Sequence, residues 1–568
     1  MNNIVLKFNN LFNFNSKKRK VLYCFCVTFI LGILGYAFSF FHPSTTLDAC
    51  MFDYSTDVNH LYSIGRFTQN WFNHLVSMYR VEFLSGIIWL CFISLCVYFT
   101  DCLFELNSKI FILALSSCIL FSGLTIRCIN LFPFANPLFV LSVLLGVLAV
   151  YCLRKLGGGG LLFVLLNALA IGLYQSAICV SLGLFGILII SDLINGKKCK
   201  NLLFDIFKQI ICIALSLVLY YALYYITLKI FHVNKDGAYN SSDRILFFGL
   251  KRTAILIIKT YILFFRNLVL CSNYQDDGVF KQFSSSHEIY LLISFFIALY
   301  FTFAYFIRIF SLKKISVKRM VLTIIILALL PFAFACICVI ANGLGSPNLY
   351  LQDYLIISLP FVLIKSYKTQ ENNEKFKRLD LTVCLAICAV LSFIIVGLYF
   401  VKFKNNQAIK TFIYQLLLLA IIGTVYVIKG KEQIQKCLKN LLFIFISVGV
   451  IFNGISYANA QSSKNYLISQ KRLALSAIMV QTIESVDGVG ESPNIYLYGD
   501  AGVFDEEIHN FYVSYLNVFF KKTYVCVNES LVLTEAQKAE VETLNVFPSK
   551  NCAKMIDGVL IIKLSETE

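Results

Sequence analysis

Long apolar runs separated by short polar or basic stretches dominate the chain, and their lengths predict its elements. Residues 21–41 and 83–103 each approach the ~20 apolar residues a helix needs to cross a ~30 Å hydrocarbon layer. Residues 110–126 should run outward and 137–153 return, with Arg154-Lys155 and Gly157 to Gly160 forming a turn on the basic side. The apolar stretch 161–190 lies between two basic clusters and should cross an even number of times. As one helix it would span only ~45 Å, short of the ~60 Å that two crossings require. Two short helices broken at Tyr174-Gln175-Ser176, the polar interruption of the run, resolve the conflict. Irregular backbone at that depth survives only when covered by protein or lining a wet cavity, so Tyr174 and Gln175 are candidate cavity residues. The alternative is one long tilted helix with a hydrogen-bonded Gln175.

Residues 210–228 lead outward into the segment 229–288, where Arg252, Lys259 and Arg266 recur every seven residues and Arg244 and Lys251 lie beside the same stripe. That pattern predicts an amphipathic helix lying in the membrane interface, apolar face in lipid and cations towards headgroups. An irregular pair of membrane helices is the alternative. Further helices are expected at 289–310, 321–340, 354–364, 381–400, 411–428 and 441–458, with basic connections on alternate sides, for about thirteen crossings.

Composition agrees with this reading: 58% hydrophobic and 14% charged residues over 568 describe a polytopic membrane protein, not a soluble one. The net charge of +17 sits in short clusters between apolar runs. It is read as a topology signal and not as a nucleic-acid surface, so residues 1–20 should stay in the cytoplasm. Residues 21–458 form the membrane domain, with outer loops 42–82 and 229–288. Residues 459–491 form a polar connecting helix.

The tail, 492–568, has the character of a small extracytoplasmic α/β domain. Strands are expected at 494–498 and 523–527, a helix at 504–520, and a helix opening at Thr534 with Gln537 completing a capping box. Asp557-Gly558 signals a type I′ turn between two short strands. Most of the 20 cysteines lie in apolar runs and act as packing residues. Cys526 and Cys552 alone fall in the hydrophilic tail, where they either form a disulfide or stay as two thiols.

Candidate chemistry concentrates in the first outer loop, which carries Asp48, Asp53 and Asp57 and then Gly65-Arg66-Phe67. Phe67, Trp71, Leu75 and Met78 form a stripe expected to lie along the interface and pin the loop to the bilayer. Carboxylates there could deprotonate a sugar hydroxyl or bind a cation, and Arg66 or Arg80 could hold a phosphate by paired hydrogen bonds. Solvated surface carboxylates are the bland alternative. His42, His60, His74, His232, His287 and His509 show no metal-ligand spacing, so no metal site is assigned. With no nucleotide-binding fingerprint either, an enzyme working on the outer face needs an activated substrate carried by lipid.

The order of these features resembles the Gtr type II glucosyltransferases of O-antigen modification, members of the GT-C class of membrane glycosyltransferases. The resemblance rests on the acidic loop followed by Gly65-Arg66-Phe67, on Leu173-Tyr174-Gln175-Ser176, and on residues 453–459 leading into a polar helix. Val546-Phe547-Pro548-Ser549 and residues 558–564 complete it. The family often has adjacent carboxylates where this chain has Asp53 and Asp57. The resemblance implies transfer of a hexose, with inversion, from a polyprenyl-phosphate-sugar donor to a surface polysaccharide or lipid-linked glycan on the outer face of the bacterial inner membrane. It implies Asp53 or Asp57 as base, with Asp48 third; Arg66, Arg244, Lys251 and Arg252 as phosphate ligands; and Tyr174 and Gln175 in the cavity. No cofactor is expected, and a divalent cation at the acidic loop stays open. A flippase or a polymerase of lipid-linked saccharides is the competing reading. The flippase should show repeated halves and charges in mid-membrane.

Overall fold

In the computed structural model, the described residues are 16–42, 59–76, 82–131, 136–235, 250–269, 317–340, 351–368, 451–499, 509–528 and 530–566. Asp48, Asp53, Asp57, Arg80 and Arg244, and the helices expected at 289–310, 381–400 and 411–428, lie outside them. The fold is mostly helical with a small sheet near the end of the chain. In order, the helices before the sheet are α1 (Lys17–Phe41), α2 (Asn59–Ser63), α3 (Phe67–Val76), α4 (Glu82–Phe104), α5 (Lys109–Phe121), α6 (Gly123–Leu131), α7 (Asn136–Lys155), α8 (Gly160–Leu173) and α9 (Ala177–Ile194). They continue with α10 (Cys199–Ile230), α11 (Leu250–Val269), α12 (Val317–Ala335), α13 (Ile337–Ile340), a 3-10 turn at Leu351–Ile357, α14 (Ser358–Lys368) and α15 (Asn453–Glu484). Among the described residues, six helices are long and apolar enough to cross a membrane: α1, α4, α7, α9, α10 and α12.

One end of this bundle gathers its ion pairs. Lys20, at the start of α1, pairs with buried Asp101 and reaches Asn107 Oδ1 at 3.1 Å. Arg154 binds Asp192 at 2.5 Å and Asp205 at 3.2 Å, Lys197 binds the same two carboxylates, and Arg319 donates to the Lys197 carbonyl. Glu105 takes Lys155 and Lys365, and the hydrogen bond from Lys155 holds its carboxyl below the usual range. Away from this end the core is mostly apolar, and some of its buried polar groups bond one another. Asn167 donates to Ser216 Oγ at 2.8 Å and accepts from Ser181 Oγ at 2.7 Å, joining α8, α9 and α10.

The break expected in 161–190 is present: α8 stops at Leu173, Tyr174 is extended, and α9 begins at Ala177. The single helix expected over 110–126 is instead two. Ser122 leaves the helical conformation, and its Oγ accepts the Thr125 amide at 3.0 Å, capping α6. The amphipathic helix expected in 229–288 is present as α11, and protein covers part of its apolar face. Leu256, Thr260 and Phe264 of α11 are buried, Tyr261 Oη donates to the Ala328 carbonyl at 2.9 Å, and Phe264 stacks on Phe334 at 6.4 Å. One stripe of α11 therefore packs along α12, in parallel, while Ile255, Ile257 and Ile258 stay exposed.

The tail holds β1 (Asn494–Tyr498), α16 (His509–Phe520), β2 (Val525–Cys526), α17 (Glu535–Glu542), β3 (Ala553–Ile556) and β4 (Val559–Lys563). The sheet order is β2-β1-β4-β3, with β1 parallel to both neighbours and β3 antiparallel to β4. Central β1 is covered on both faces. Ile495 and Leu497 pack with Tyr512, Val513 and Leu516 of α16, while Tyr496 and Tyr498 pack with Val541 of α17 and Ile561. Strand β2 is shorter than expected because the Asn528 side chain replaces its next rung, accepting from the Leu497 amide at 3.0 Å and donating to its carbonyl at 2.8 Å.

Of the two alternatives for Cys526 and Cys552, the structure takes the one without a disulfide. The two cysteines belong to opposite edges of the sheet, roughly 14 Å apart across three strand spacings of ~4.8 Å, whereas a disulfide needs Cα atoms within about 7 Å. The polar connecting helix is the later part of α15, which runs unbroken from Ala458 in the core of the helical bundle to Met479, Val480 and Ile483 in the tail core.

Candidate active site

Gly65-Arg66-Phe67 is the hinge between α2 and α3. Gly65 takes a left-handed φ of 80° and donates to the Tyr62 carbonyl at 3.0 Å, and the Arg66 amide bonds the Leu61 carbonyl at 2.8 Å. This is a glycine-terminated helix end, which a β-carbon would strain. It leaves three successive carbonyls pointing away from α2, and three side chains distant in the chain take them. Tyr224 Oη donates to Ser63 at 2.6 Å, Gln175 Nε2 to Ile64 at 2.8 Å, and Tyr220 Oη to Gly65 at 3.2 Å. Buried carbonyls left unbonded would each cost about 1–3 kcal/mol, so these contacts fix the turn. Gln175 is thus a positioning residue committed to this turn.

The clamped turn aims Arg66 at the helix break. Its guanidinium lies over the Tyr174 ring, 4.7 Å from the centroid, and its Nε is buried without a partner among the described residues. Tyr174 is braced from behind by Phe139, whose ring meets it edge-on at 5.2 Å. The structure therefore joins Arg66, Tyr174 and Gln175, residues that the sequence offered as separate candidates. The site belongs to the end of the bundle opposite the ion pairs, because α8 climbs from Gly160, near Lys155, to reach it.

Of the stripe expected to lie along the interface, Phe67 turns inward. Phe67 is fully buried, stacked on Tyr220 at 5.8 Å and packed against Gly172, while Trp71 is 43% exposed. The small Gly172 lets α3 approach α8 closely enough to swallow this face. Thr68, Gln69 and Asn70 are buried too, at 0%, 2% and 3% exposure, and Thr68 Oγ1, Gln69 Oε1 and Asn70 Nδ2 lack partners among the described residues. Their one sequence signal is three polar residues directly after Gly65-Arg66-Phe67.

Among the described residues, Lys251 and Arg252 open α11 at a distance along the helix from its contacts with α12. Arg252 precedes Phe264 by twelve residues, ~18 Å of helix. Because α11 and α12 are parallel, that displacement carries Lys251 and Arg252 towards the end marked by Arg319, away from Arg66.

In comparison with known proteins, the model of the family described as glucosyl transferase GtrII matches residues 35–350. That range includes the Arg66 turn, the Tyr174 break and both clamping tyrosines. No curated protein and no solved structure matches the chain.

Proposed function

Given that the chain belongs to the GtrII glucosyl transferase family, we propose that it moves glucose from a polyprenyl-phosphate carrier to a cell-surface polysaccharide such as O-antigen, or to its lipid-linked precursor. The reaction takes place on the outer face of the bacterial inner membrane, in a GT-C-type architecture of about thirteen crossings, with the tail extracytoplasmic.

The observation that carries this reading is the Arg66–Tyr174 pair at the helix break. Helix α8 has 14 residues and rises only ~21 Å, less than the ~30 Å hydrocarbon layer. A cation held at that height meets a phosphate borne by lipid more readily than one arriving from water. Arginine suits the task, since its planar fork binds phosphate oxygens while its face stacks on an aromatic ring.

In the proposed reaction, Asp53 or Asp57, with Asp48 third, takes the proton from an acceptor hydroxyl as that oxygen attacks the anomeric carbon. The bond from carbon to phosphate oxygen breaks, inverting the centre, and the lipid phosphate leaves with the electron pair. Its charge needs a cation more than a general acid, and Arg66 supplies it. The short polar stretch from Asp48 to Arg66 allows base and cation to serve one site.

The test is transfer of radiolabelled glucose from polyprenyl-phosphate-glucose to the host glycan in membranes carrying wild type, Arg66→Ala or Asp53→Asn/Asp57→Asn. Transfer by the wild type with loss in both variants is expected. Equal transfer by all three would remove both assignments, and no transfer by the wild type, with protein present, would favour a flippase or polymerase.

A further inference from the structure

We infer that Gln69 and Asn70 form the subsite that recognises the donor hexose: Gln69 Oε1 accepts from one sugar hydroxyl, and Asn70 Nδ2 donates to another, beside the phosphate on Arg66. This rests on the glucosyltransferase reading and adds the residues that read the sugar.

Buried polar atoms normally find partners, and each exception asks for an explanation. The fold is able to satisfy buried amides, as the two bonds of Asn167 show. At Gln69 and Asn70 it does not, though both are almost wholly enclosed. Orphan amide oxygens also occur singly at Asn130, Asn136 and Gln461, and Arg127 and Lys464 lie three residues from the first and last of these. The set on α3 differs in that its cation is itself short of a partner: Arg66 Nε, Thr68 Oγ1, Gln69 Oε1 and Asn70 Nδ2 are all orphans among the described residues, within five positions. Arg66, Gln69 and Asn70 stand at i, i+3 and i+4, so they share one face, with neighbouring β-carbons about 5–6 Å apart. That face presents a cationic donor, a neutral acceptor and a neutral donor in a row.

A sugar phosphate has the complementary sequence of groups. Its phosphate is an anion, and its ring hydroxyls both donate and accept. The remaining walls agree with a fixed site, because Thr68 and Phe67 on the other side of α3 are wedged against Gly172, so the helix cannot rotate to hide its polar face. Water trapped on Gln69 and Asn70 would satisfy the same atoms without reading a sugar, and the experiment separates the two.

Polyprenyl-phosphate-glucose and its 2-, 3-, 4- and 6-deoxy analogues would be compared as donors for wild type, Gln69→Leu and Asn70→Leu, reading kcat/KM. In the wild type, at least one deoxy donor should fall about 10- to 100-fold, the loss expected when a site's buried polar group is left unpaired. Each leucine variant should fall by a similar factor on glucose. At one deoxy position, its own, the variant should then no longer distinguish the analogue from glucose, while still discriminating the others. Wild type that uses all four analogues equally would overturn the inference without any variant. Variants that keep the wild-type profile would overturn it too, and would leave water as the occupant. Both leucine variants should unfold at or above the wild-type temperature, since an apolar side chain removes an unsatisfied group. Wild type that transfers nothing even from unmodified donor would instead overturn the glucosyltransferase reading, and the inference with it.

Discussion

Replacing Arg66 by lysine would keep a charge but lose both the flat surface that stacks on Tyr174 and the fork that grips phosphate oxygens. Arg66→Lys should therefore lower kcat/KM for lipid-linked glucose about 10- to 100-fold while leaving thermal unfolding nearly unchanged, since hydrogen bonds to charged groups contribute about 1.5–3 kcal/mol. Rates measured in membranes with matched protein levels decide this, and an unaltered rate would take Arg66 out of the donor site. Gly172 makes a different argument, from space alone. A β-carbon there would sit 2.4 Å from Thr68 Oγ1 and 2.7 Å from Phe67 Cζ, so α3 would have to shift. Gly172→Ala should cost about 1–3 kcal/mol of stability and reduce transfer. Gly157→Ala is the matching control, because nothing lies within 4 Å of its added carbon. Equal melting temperatures for the two variants would mean that α3 is not wedged against α8.

Elements were legible wherever a local rule decided them. The α8–α9 break follows from length against the number of crossings, and Thr534 with Gln537 forms the expected capping box, with bonds of 3.3 and 2.9 Å. Asp557 and Gly558 take the two positive φ angles, 48° and 79°, that a type I′ turn requires. Thr534→Ala should accordingly cost about 1 kcal/mol. The loss should surface as faster amide hydrogen exchange over Glu535–Glu542 in the full-length protein, and unchanged exchange there would assign the stability of α17 to packing of Val541 instead. Illegible features are those settled by partners far away in the chain. Tyr220 and Tyr224 look like any tyrosines of an apolar helix, and the carbonyls they bind lie 155 and 161 residues earlier. The seven-residue basic repeat of α11 marks an amphipathic helix, but whether protein or lipid covers its apolar side depends on α12. Nor does hydrophilic surroundings for two cysteines say that two strands will come to lie between them.

At the scale of the whole molecule, α1 and α15 share a direction that separates the two polar ends of the chain. Asn459 Nδ2 donates to the Leu34 carbonyl at 2.8 Å, and further along Tyr466 meets Phe38 at 5.8 Å and His42 at 5.4 Å between ring centroids. Contacts thus advance together, and α15 continues past the end of α1 into the core of the tail domain. Lys20, paired with Asp101 at the start of α1, stands ~30 Å of helix from Phe41, close to the thickness of a hydrocarbon layer. If a bilayer surrounds α1, the ion-paired end and the tail must face opposite sides of it. Fusing a reporter after Lys197, among the ion pairs, or after Glu566, at the end of the tail, tests this directly. The first fusion should give fluorescent green protein and inactive alkaline phosphatase, since basic residues stay on the cytoplasmic side. The second should give the reverse. Fusions of the same sign at both positions would mean that α1 does not separate two compartments, and the proposed transfer on the outer face would lose its geometry. Opposite signs in the expected order would put the Arg66–Tyr174 pair at the outer end of the bundle, since both it and the tail lie at the end opposite the ion pairs.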